Sequence, residues 1–257
     1  MKQLGVSGFP LDHTYSPSWF ERRFRDENIS GWQYDVFPVE QAITIPRLFL
    51  RHPLLVGLNV TIPHKEAVIP YLDRLTPDAR RVGAVNTVRR EQDGSLTGHN
   101  TDVLALEDVF QQRPERPAQA LVLGTGGASR AVITALEKFS IASMRVSRSP
   151  DNERASFTYQ SLTYKLIAQT PWIINTTPLG MHPHVDELPA LPYDALGKGH
   201  WLLDLIYNPP TTCFLAEGVQ RGAEIENGAR ILALQAEHSW RFFQHKAYSF
   251  DLDGNDR

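Results

Sequence analysis

The stretch Ala120-Leu121-Val122-Leu123-Gly124-Thr125-Gly126-Gly127-Ala128-Ser129-Arg130-Ala131 constrains the fold more than any other part of the chain. Four apolar residues run into a glycine-rich turn, and Val132, Ala135, Leu136 and Phe139 then recur at helical spacing. Strand, turn and helix in that order predict one βα unit. Gly124 permits the tight turn, Gly126 lets backbone approach a pyrophosphate, and Ser129 is small enough for the helix to pack on the strand. Thr125, Gly126, Gly127 and Ala128 lead into a helix N-terminus, where unpaired N–H groups attract phosphate. Alone, a Gly-x-Gly-x-x-small match also fits a plain strand–turn–helix corner. Its setting between strand and helix favours a dinucleotide site.

An NAD site carries an acidic residue at the end of its second strand, where it holds the ribose 2′-hydroxyl. Here residues 142–147 read as that strand, and it runs into Ser147-Arg148-Ser149, a cation between two hydroxyls. A guanidinium meets two phosphate oxygens at once, so these residues favour NADP(H) over NAD. A surface arginine at a strand end is the competing account.

The rest of the composition narrows the class. A chain of 257 residues has room for two domains of ordinary size. A net charge of −3 gives no electrostatic case for nucleic acid or an anionic membrane. The single cysteine, Cys213, excludes an intrachain disulfide and fits a reducing compartment. Residues 1–17 have no apolar signal core, and no run is long enough to span a bilayer, so the expected location is the cytoplasm. No His-Glu-x-x-His occurs, and His182-Pro183-His184 sits in a proline-rich loop, so no metal is expected. The tail 251–256 stops before the glutamate a calcium loop requires and reads as a frayed end.

Taken in order, residues 4–8 form a first strand. Ser16 at the N-cap and Pro17 at the first helical position predict a helix to about residue 27. A strand over 34–39, a helix over 40–50 and a strand over 54–60 follow. Pro63 opens a helix with Lys65 in its first turn. Val85-Asn86-Thr87-Val88 and Leu96-Thr97-Gly98 flank the hairpin turn Asp93-Gly94, and Asp102 caps a helix to about residue 112. Arg113-Pro114-Glu115-Arg116-Pro117 punctuates the chain, with the start of the preceding helix as the other candidate boundary. The second half alternates: helix 162–169, strand 172–175, strand 201–207, helix 211–221, strand 223–225, then a long helix over 231–245. Such alternation is the signature of a parallel sheet covered on both faces.

Asn59-Val60-Thr61-Ile62-Pro63-His64-Lys65 resembles the signature of the shikimate dehydrogenases. Gly8-Phe9-Pro10 with Ser16-Pro17, Gly83-Ala84-Val85-Asn86-Thr87 and Gly98-His99-Asn100-Thr101-Asp102 resemble further motifs of that family. Asn175-Thr176-Thr177-Pro178-Leu179-Gly180-Met181, Asp204-Leu205-Ile206-Tyr207-Asn208-Pro209, and Gly228 with Leu232 and Gln235 continue in the same order. The resemblance implies a two-domain α/β fold. Residues 1–102 plus 231–257 would bind substrate, and 103–230 would form a Rossmann-like, doubly wound NADP domain. The last helix would return to the first domain.

The same resemblance implies reversible reduction of 3-dehydroshikimate to shikimate with NADPH, in aromatic amino acid biosynthesis. Hydride delivery to a ketone needs a proton donor at the carbonyl oxygen. Lys65 and Asp102 are the implied catalytic pair. A first helical turn favours the neutral amine of Lys65, while Asp102 favours the ammonium. Taken singly, Lys65 is an ordinary solvated lysine and Asp102 a plain cap. Thr14 and Ser16 would hold the substrate carboxylate. Asn59, Thr61, Asn86 and Gln235 would meet the ring hydroxyls or order the pair, and Tyr207 would reach substrate or nicotinamide. Thr176 and Thr177 would line the nicotinamide half of the cofactor site, and Leu205 and Gly228 would also bind cofactor. Thr14 departs from a usual serine, Ala105 from a glycine and Ile231 from a methionine. The alternatives are a quinate or broad-specificity dehydrogenase using NAD or NADP, and a non-catalytic NADP sensor. Retention of Lys65 and Asp102 favours the enzyme. The expected partner is a small molecule, with the chain a monomer or homodimer.

Overall fold

The computed structural model describes residues 1–11, 14–149 and 155–244, so the tail 251–256 and the expected helix end at His245 lie outside the described residues. The chain forms two compact units, Met1–Ala105 joined by the chain from Ala233, and Leu106–Leu232.

The first unit contains β1 (Lys2–Gly8), α1 (Ser16–Asp26), β2 (Trp32–Pro38), α2 (Ile45–Arg51), β3 (Leu55–Val60), the single turn α3 (His64–Ala67), β4 (Arg74–Leu75), α4 (Pro77–Val82), β5 (Thr87–Arg90), β6 (Leu96–His99) and the start of α5 (Thr101–Gln111). Its sheet has the order β2-β1-β3-β5-β6-β4. β1 runs parallel to β2 and β3, and β5 runs antiparallel to β3 and β6. Both faces are covered, so the central strands β1 and β3 are buried along most of their length. Leu55, Leu58, Val60, Val85 and Val88 pack on one side with Ile45, Leu48 and Phe49. Leu4, Val6, Phe20 and Tyr34 pack on the other with Trp240, Phe242 and Phe243. Each such side chain contributes about 1.5–3 kcal/mol by leaving water. Asn59 pairs with Thr87, and Thr87 with His99, so three polar residues lie abreast on adjoining strands.

The second unit contains β7 (Gln119–Leu123), α6 (Gly127–Lys138), β8 (Ala142–Ser147), β9 (Phe157–Thr158), α7 (Tyr164–Ala168), β10 (Trp172–Asn175), β11 (Trp201–Asp204), α8 (Cys213–Gln220), β12 (Glu224–Glu226) and the start of α9 (Ala229–Phe243). Its order is β12-β11-β10-β7-β8-β9, and every pairing is parallel. The chain crosses from β8 and β9 on one side of β7 to β10 on the other, so the carboxyl end of β7 is the switch point where open α/β sheets bind ligands. The α/β alternation read from the sequence is present in both units.

Several local expectations are corrected. The helix over 40–50 begins as a 3₁₀ turn, Ala42–Thr44, before α2, where Pro46 lies at the first α-helical positions. The helix expected after Pro63 is present but is a single turn, α3, with Pro63 at its N-cap and a second 3₁₀ turn following at Ile69–Tyr71. The axial field expected at Lys65 is therefore that of a single turn. Tyr15, not Ser16, occupies the N-cap position of α1, and Ser16 is already helical. The strand expected to reach Tyr207 stops at Asp204, whose carboxylate takes the Ile206 N–H at 3.0 Å and turns the chain away.

Candidate active site

The first group of site residues is assembled by α5. Asp102 does not cap this helix. Asn100 does: its Oδ1 accepts from Val103 N at 3.1 Å, while its Nδ2 donates to Ala84 O at 3.0 Å. With the cap supplied two residues earlier, the Asp102 carboxylate is available elsewhere. Lys65 Nζ donates to Asp102 Oδ2 at 2.7 Å, and Asn86 Nδ2 donates to Asp102 Oδ1 at 2.8 Å. The side chains of Lys65 and Asp102 keep 32% and 24% of their surface exposed, so the pair is braced behind and open in front.

Lys65 is held through its backbone and its neighbour. Its carbonyl accepts from Val85 N at 2.7 Å, and buried His64 donates from Nε2 to Val39 O at 2.5 Å, since a carbonyl only accepts. Asn86 is also buried, and its Oδ1 takes the Thr101 N–H at 2.8 Å. Asn59 has all of its amide hydrogens engaged within the protein. Its Oδ1 accepts from the Tyr34 phenol at 2.8 Å, and its Nδ2 donates to Ser239 Oγ at 2.9 Å and Thr87 Oγ1 at 3.2 Å. Ser16 hydrogen-bonds the same Tyr34 phenol, whose pKa burial pushes well above its ordinary value while Ser16 opposes the shift.

Thr14 and Thr61 are half-buried, in the loop before α1 and just after β3, and Gln235 is buried on α9. Tyr34, Thr87 and Ser239 are functional-looking residues that sequence reasoning passed over. Ser239 lies four positions after Gln235, on the same helical face, and that spacing was the available signal. His99 is another: it is buried, its Nδ1 lies 2.8 Å from Thr76 Oγ1, and its ring stacks on Phe242 at 4.7 Å. Burial, with His238 and Arg89 nearby, drives its pKa down to about 3.

The second group of residues lies in the other unit, at the end of β7. Gly124 has φ +112°, and a Cβ there would come within 2.7 Å of Thr176 Oγ1, so only glycine is accommodated. Thr176 in turn donates to Leu123 O at 2.6 Å. A Cβ on Gly126 would meet nothing within 4 Å, which leaves the backbone before α6 open to close approach. Ser129 is buried and donates to Gly126 O at 2.8 Å, tying the turn to the helix. These features suit a pyrophosphate at the helix N-terminus.

At the end of β8 the three expected residues separate. Ser147 is buried and its Oγ accepts from Ser149 N at 3.1 Å, while Arg148 and Ser149 are exposed. Ser149 also lines a hollow of about 240 Å³ with Ser156, Thr158 and Ser161. The nearby Tyr159 phenol is pushed up to about 12 by burial, with Arg148 opposing.

Asn175 Oδ1 accepts from Thr177 Oγ1 at 2.7 Å, and Asn175 Nδ2 donates to Asp204 Oδ1 at 3.1 Å. Burial raises the Asp204 carboxyl above the usual range, against donation from Thr212 at 2.6 Å. Gly228 packs on the Leu205 backbone: a Cβ there would lie 2.1 Å from Leu205 O. That close approach alone accounts for the glycine. Tyr207 is exposed beyond β11.

Among the described residues, no group of three His, Cys, Asp or Glu side chains could hold a metal ion, and no helix is long and apolar enough to cross a membrane. A parallel sheet that reverses order beside a glycine turn is the architecture of a dinucleotide-binding protein.

Residues 6–88 match the family model described as the shikimate dehydrogenase substrate binding domain. A protein of Desulforamulus reducens named shikimate dehydrogenase (NADP(+)) is 35% identical over 256 residues, covering 90% of this chain and 86% of that protein. The crystal structure of shikimate 5-dehydrogenase from Thermus thermophilus in complex with NADP(H) and shikimate matches with a TM-score of 0.82 and 28% identity, over 95% of this chain and 93% of that one. Quinate dehydrogenase from Corynebacterium glutamicum in complex with NAD matches with a TM-score of 0.84 and 27% identity, over 94% and 93%. The chain belongs to the shikimate dehydrogenase family.

Proposed function

We propose that the protein catalyses the reversible NADPH-dependent reduction of 3-dehydroshikimate to shikimate, in chorismate and aromatic amino acid biosynthesis. One observation carries the reading: the Lys65 ammonium lies 2.7 Å from an Asp102 carboxylate whose other oxygen is fixed by Asn86, just beyond a strand of the matched substrate domain. When bound, NADP(H) supplies or accepts the hydride. Lys65 gives its proton to the carbonyl oxygen during reduction and takes it back during oxidation. Asp102 holds the ammonium in place and accepts from a substrate hydroxyl.

Thr14 and Ser16 take the substrate carboxylate, and Thr61 and Gln235 take ring hydroxyls. Asn59 and Asn86 brace the pair, since their amides are already engaged within the protein. Residues 124–128 cradle the pyrophosphate. Arg148, with Ser147 and Ser149, reads the 2′-phosphate, and Thr176, Thr177, Leu205, Tyr207 and Gly228 shape the nicotinamide side. In this reading residues 1–102 with the segment from 231 form the substrate domain and 103–230 the NADP domain. The enzyme works in the cytoplasm, as a monomer or homodimer.

The second reading, a quinate dehydrogenase using NAD, is favoured by the likeness to the Corynebacterium protein. Arg148 at the β8 end, where NAD sites carry an acid, weighs against it. A steady-state assay crossing shikimate and quinate with NADP and NAD tests both. The highest kcat/KM is expected for shikimate with NADP. Quinate with NAD as the better pair would replace the proposal.

A further inference from the structure

The hydrogen bonds that fix Asn86 run into a buried cluster that ends on α9, with Ser239 at its centre. Ser239 is fully buried, and its Oγ lies 2.9 Å from Asn59 Nδ2, 3.0 Å from Thr87 Oγ1 and 3.1 Å from Thr101 Oγ1. The Tyr34 phenol donates to Asn59 Oδ1, so Asn59 must present its amide hydrogens to Ser239 and Thr87.

Around Asn86 the count of lone pairs decides the rest. A carbonyl oxygen has two, and Asn86 Oδ1 takes Thr101 N at 2.8 Å, which leaves one for either Thr87 Oγ1 at 3.1 Å or Thr101 Oγ1 at 3.2 Å. The Asn86 amide hydrogens go to Asp102 Oδ1 at 2.8 Å and Thr101 Oγ1 at 2.9 Å. Whichever threonine hydroxyl does not take the open Oδ1 lone pair needs another acceptor, and Ser239 Oγ lies within 3.1 Å of both. Ser239 in turn gives its proton to the other threonine, whose proton goes to Asn86. The relay closes in either direction while Ser239 is present. Without that hydroxyl, Thr101 and Thr87 are both left with the one open lone pair of Asn86 Oδ1, and the hold of its amide on Asp102 is disturbed.

We infer that Ser239 is a positioning residue for the Lys65–Asp102 pair, acting through Thr101 and Asn86 to hold the carboxylate in place. The inference rests on the reading above, in which that pair moves the proton.

The test compares Ser239→Ala and Ser239→Cys in the full chain, with kcat, both KM values and the folded fraction measured. Cysteine fills the site with a slightly larger atom that hydrogen-bonds poorly. Both variants are expected to lose about tenfold in kcat per folded molecule, with KM for NADP unchanged. In an Asn86→Ala background, Ser239→Ala is expected to cost nothing further in kcat. A lower melting temperature with unchanged kcat, full activity of Ser239→Cys beside a weakened Ser239→Ala, or additive losses with Asn86→Ala would each overturn the inference. If Ser239→Ala does not fold, Ser239→Cys carries the same readouts. Lys65→Ala, assayed alongside, isolates the underlying reading: undiminished kcat there would remove the proton pair itself, and the role of Ser239 with it.

Discussion

The two units build their functional regions from different materials. In the first, side chains do the work: Lys65, Asp102, Asn86 and Asn59 are held by hydrogen bonds of 2.7–3.2 Å, buried around Asn59 and part-buried at the Lys65–Asp102 pair. In the second, backbone does it: a glycine at φ +112°, an open Gly126 and a helix N-terminus, with Arg148 as an exposed addition. A phosphate is a generic anion that main-chain N–H groups can meet. A proton transfer needs one charge at one place, and only a braced side chain supplies that. The first region should therefore fail in kcat when altered, and the second in cofactor KM.

The largest expected effect tests the first half of that contrast. Lys65→Ala should lower kcat by about 10²–10⁴-fold, with a smaller change in KM for shikimate. A loss confined to KM would make Lys65 a binding residue. Next comes a matched pair on α5. Asp102→Asn should cut kcat by about 10²-fold while leaving the melting temperature nearly intact, because Asn100 carries the cap. Asn100→Ala should do the reverse, costing about 1–2 kcal/mol in urea unfolding with kcat per folded molecule little changed. Identical behaviour of the two variants would erase the distinction between cap and catalyst.

That distinction was only partly legible in the sequence. The second unit was read well because Leu121, Val122 and Leu123 form an unbroken apolar run before a glycine turn, and both signals are local. The first unit was read less completely. β4 is two residues long and shows no periodicity, so it and α4 went unseen. Asn100 and Asp102 are both good caps two positions apart, and residue type alone does not choose between them. Tyr34 gave no signal, and Ser239 only its spacing from Gln235, for a different reason. Their partner Asn59 lies 25 and 180 positions away, and only the folded sheet brings them together. The site motifs themselves were legible, through their resemblance to a known family.

Smaller effects sharpen the contrast. Arg148→Ala should raise KM for NADP by about tenfold and leave that for NAD nearly unchanged, as expected of an exposed guanidinium on a phosphate. An equal rise for both cofactors would assign Arg148 to loop support. Thr14→Ser should narrow the preference for shikimate over quinate by several-fold, since one methyl is worth about 1–3 kcal/mol in a pocket. An unchanged ratio would remove Thr14 from specificity.

A separate effect, of a different kind, concerns stability. His99 is neutral when buried, with a pKa of about 3, whereas the unfolded chain binds its proton near 6.5. Its contribution is complete above about pH 6.5 and is lost as the pH falls towards 3. Urea unfolding from about pH 7 to about pH 4 should show that loss in the unaltered protein and less of it in His99→Gln. The same slope in both would assign the acid sensitivity to other groups.

The division of labour itself is tested most directly by measuring kcat and NADP affinity together in Lys65→Ala and Arg148→Ala. The account predicts that Lys65→Ala loses turnover with normal NADP affinity, and that Arg148→Ala loses affinity with near-normal kcat at saturating NADP. Weakened NADP binding in Lys65→Ala, or collapsed saturating turnover in Arg148→Ala, would contradict it.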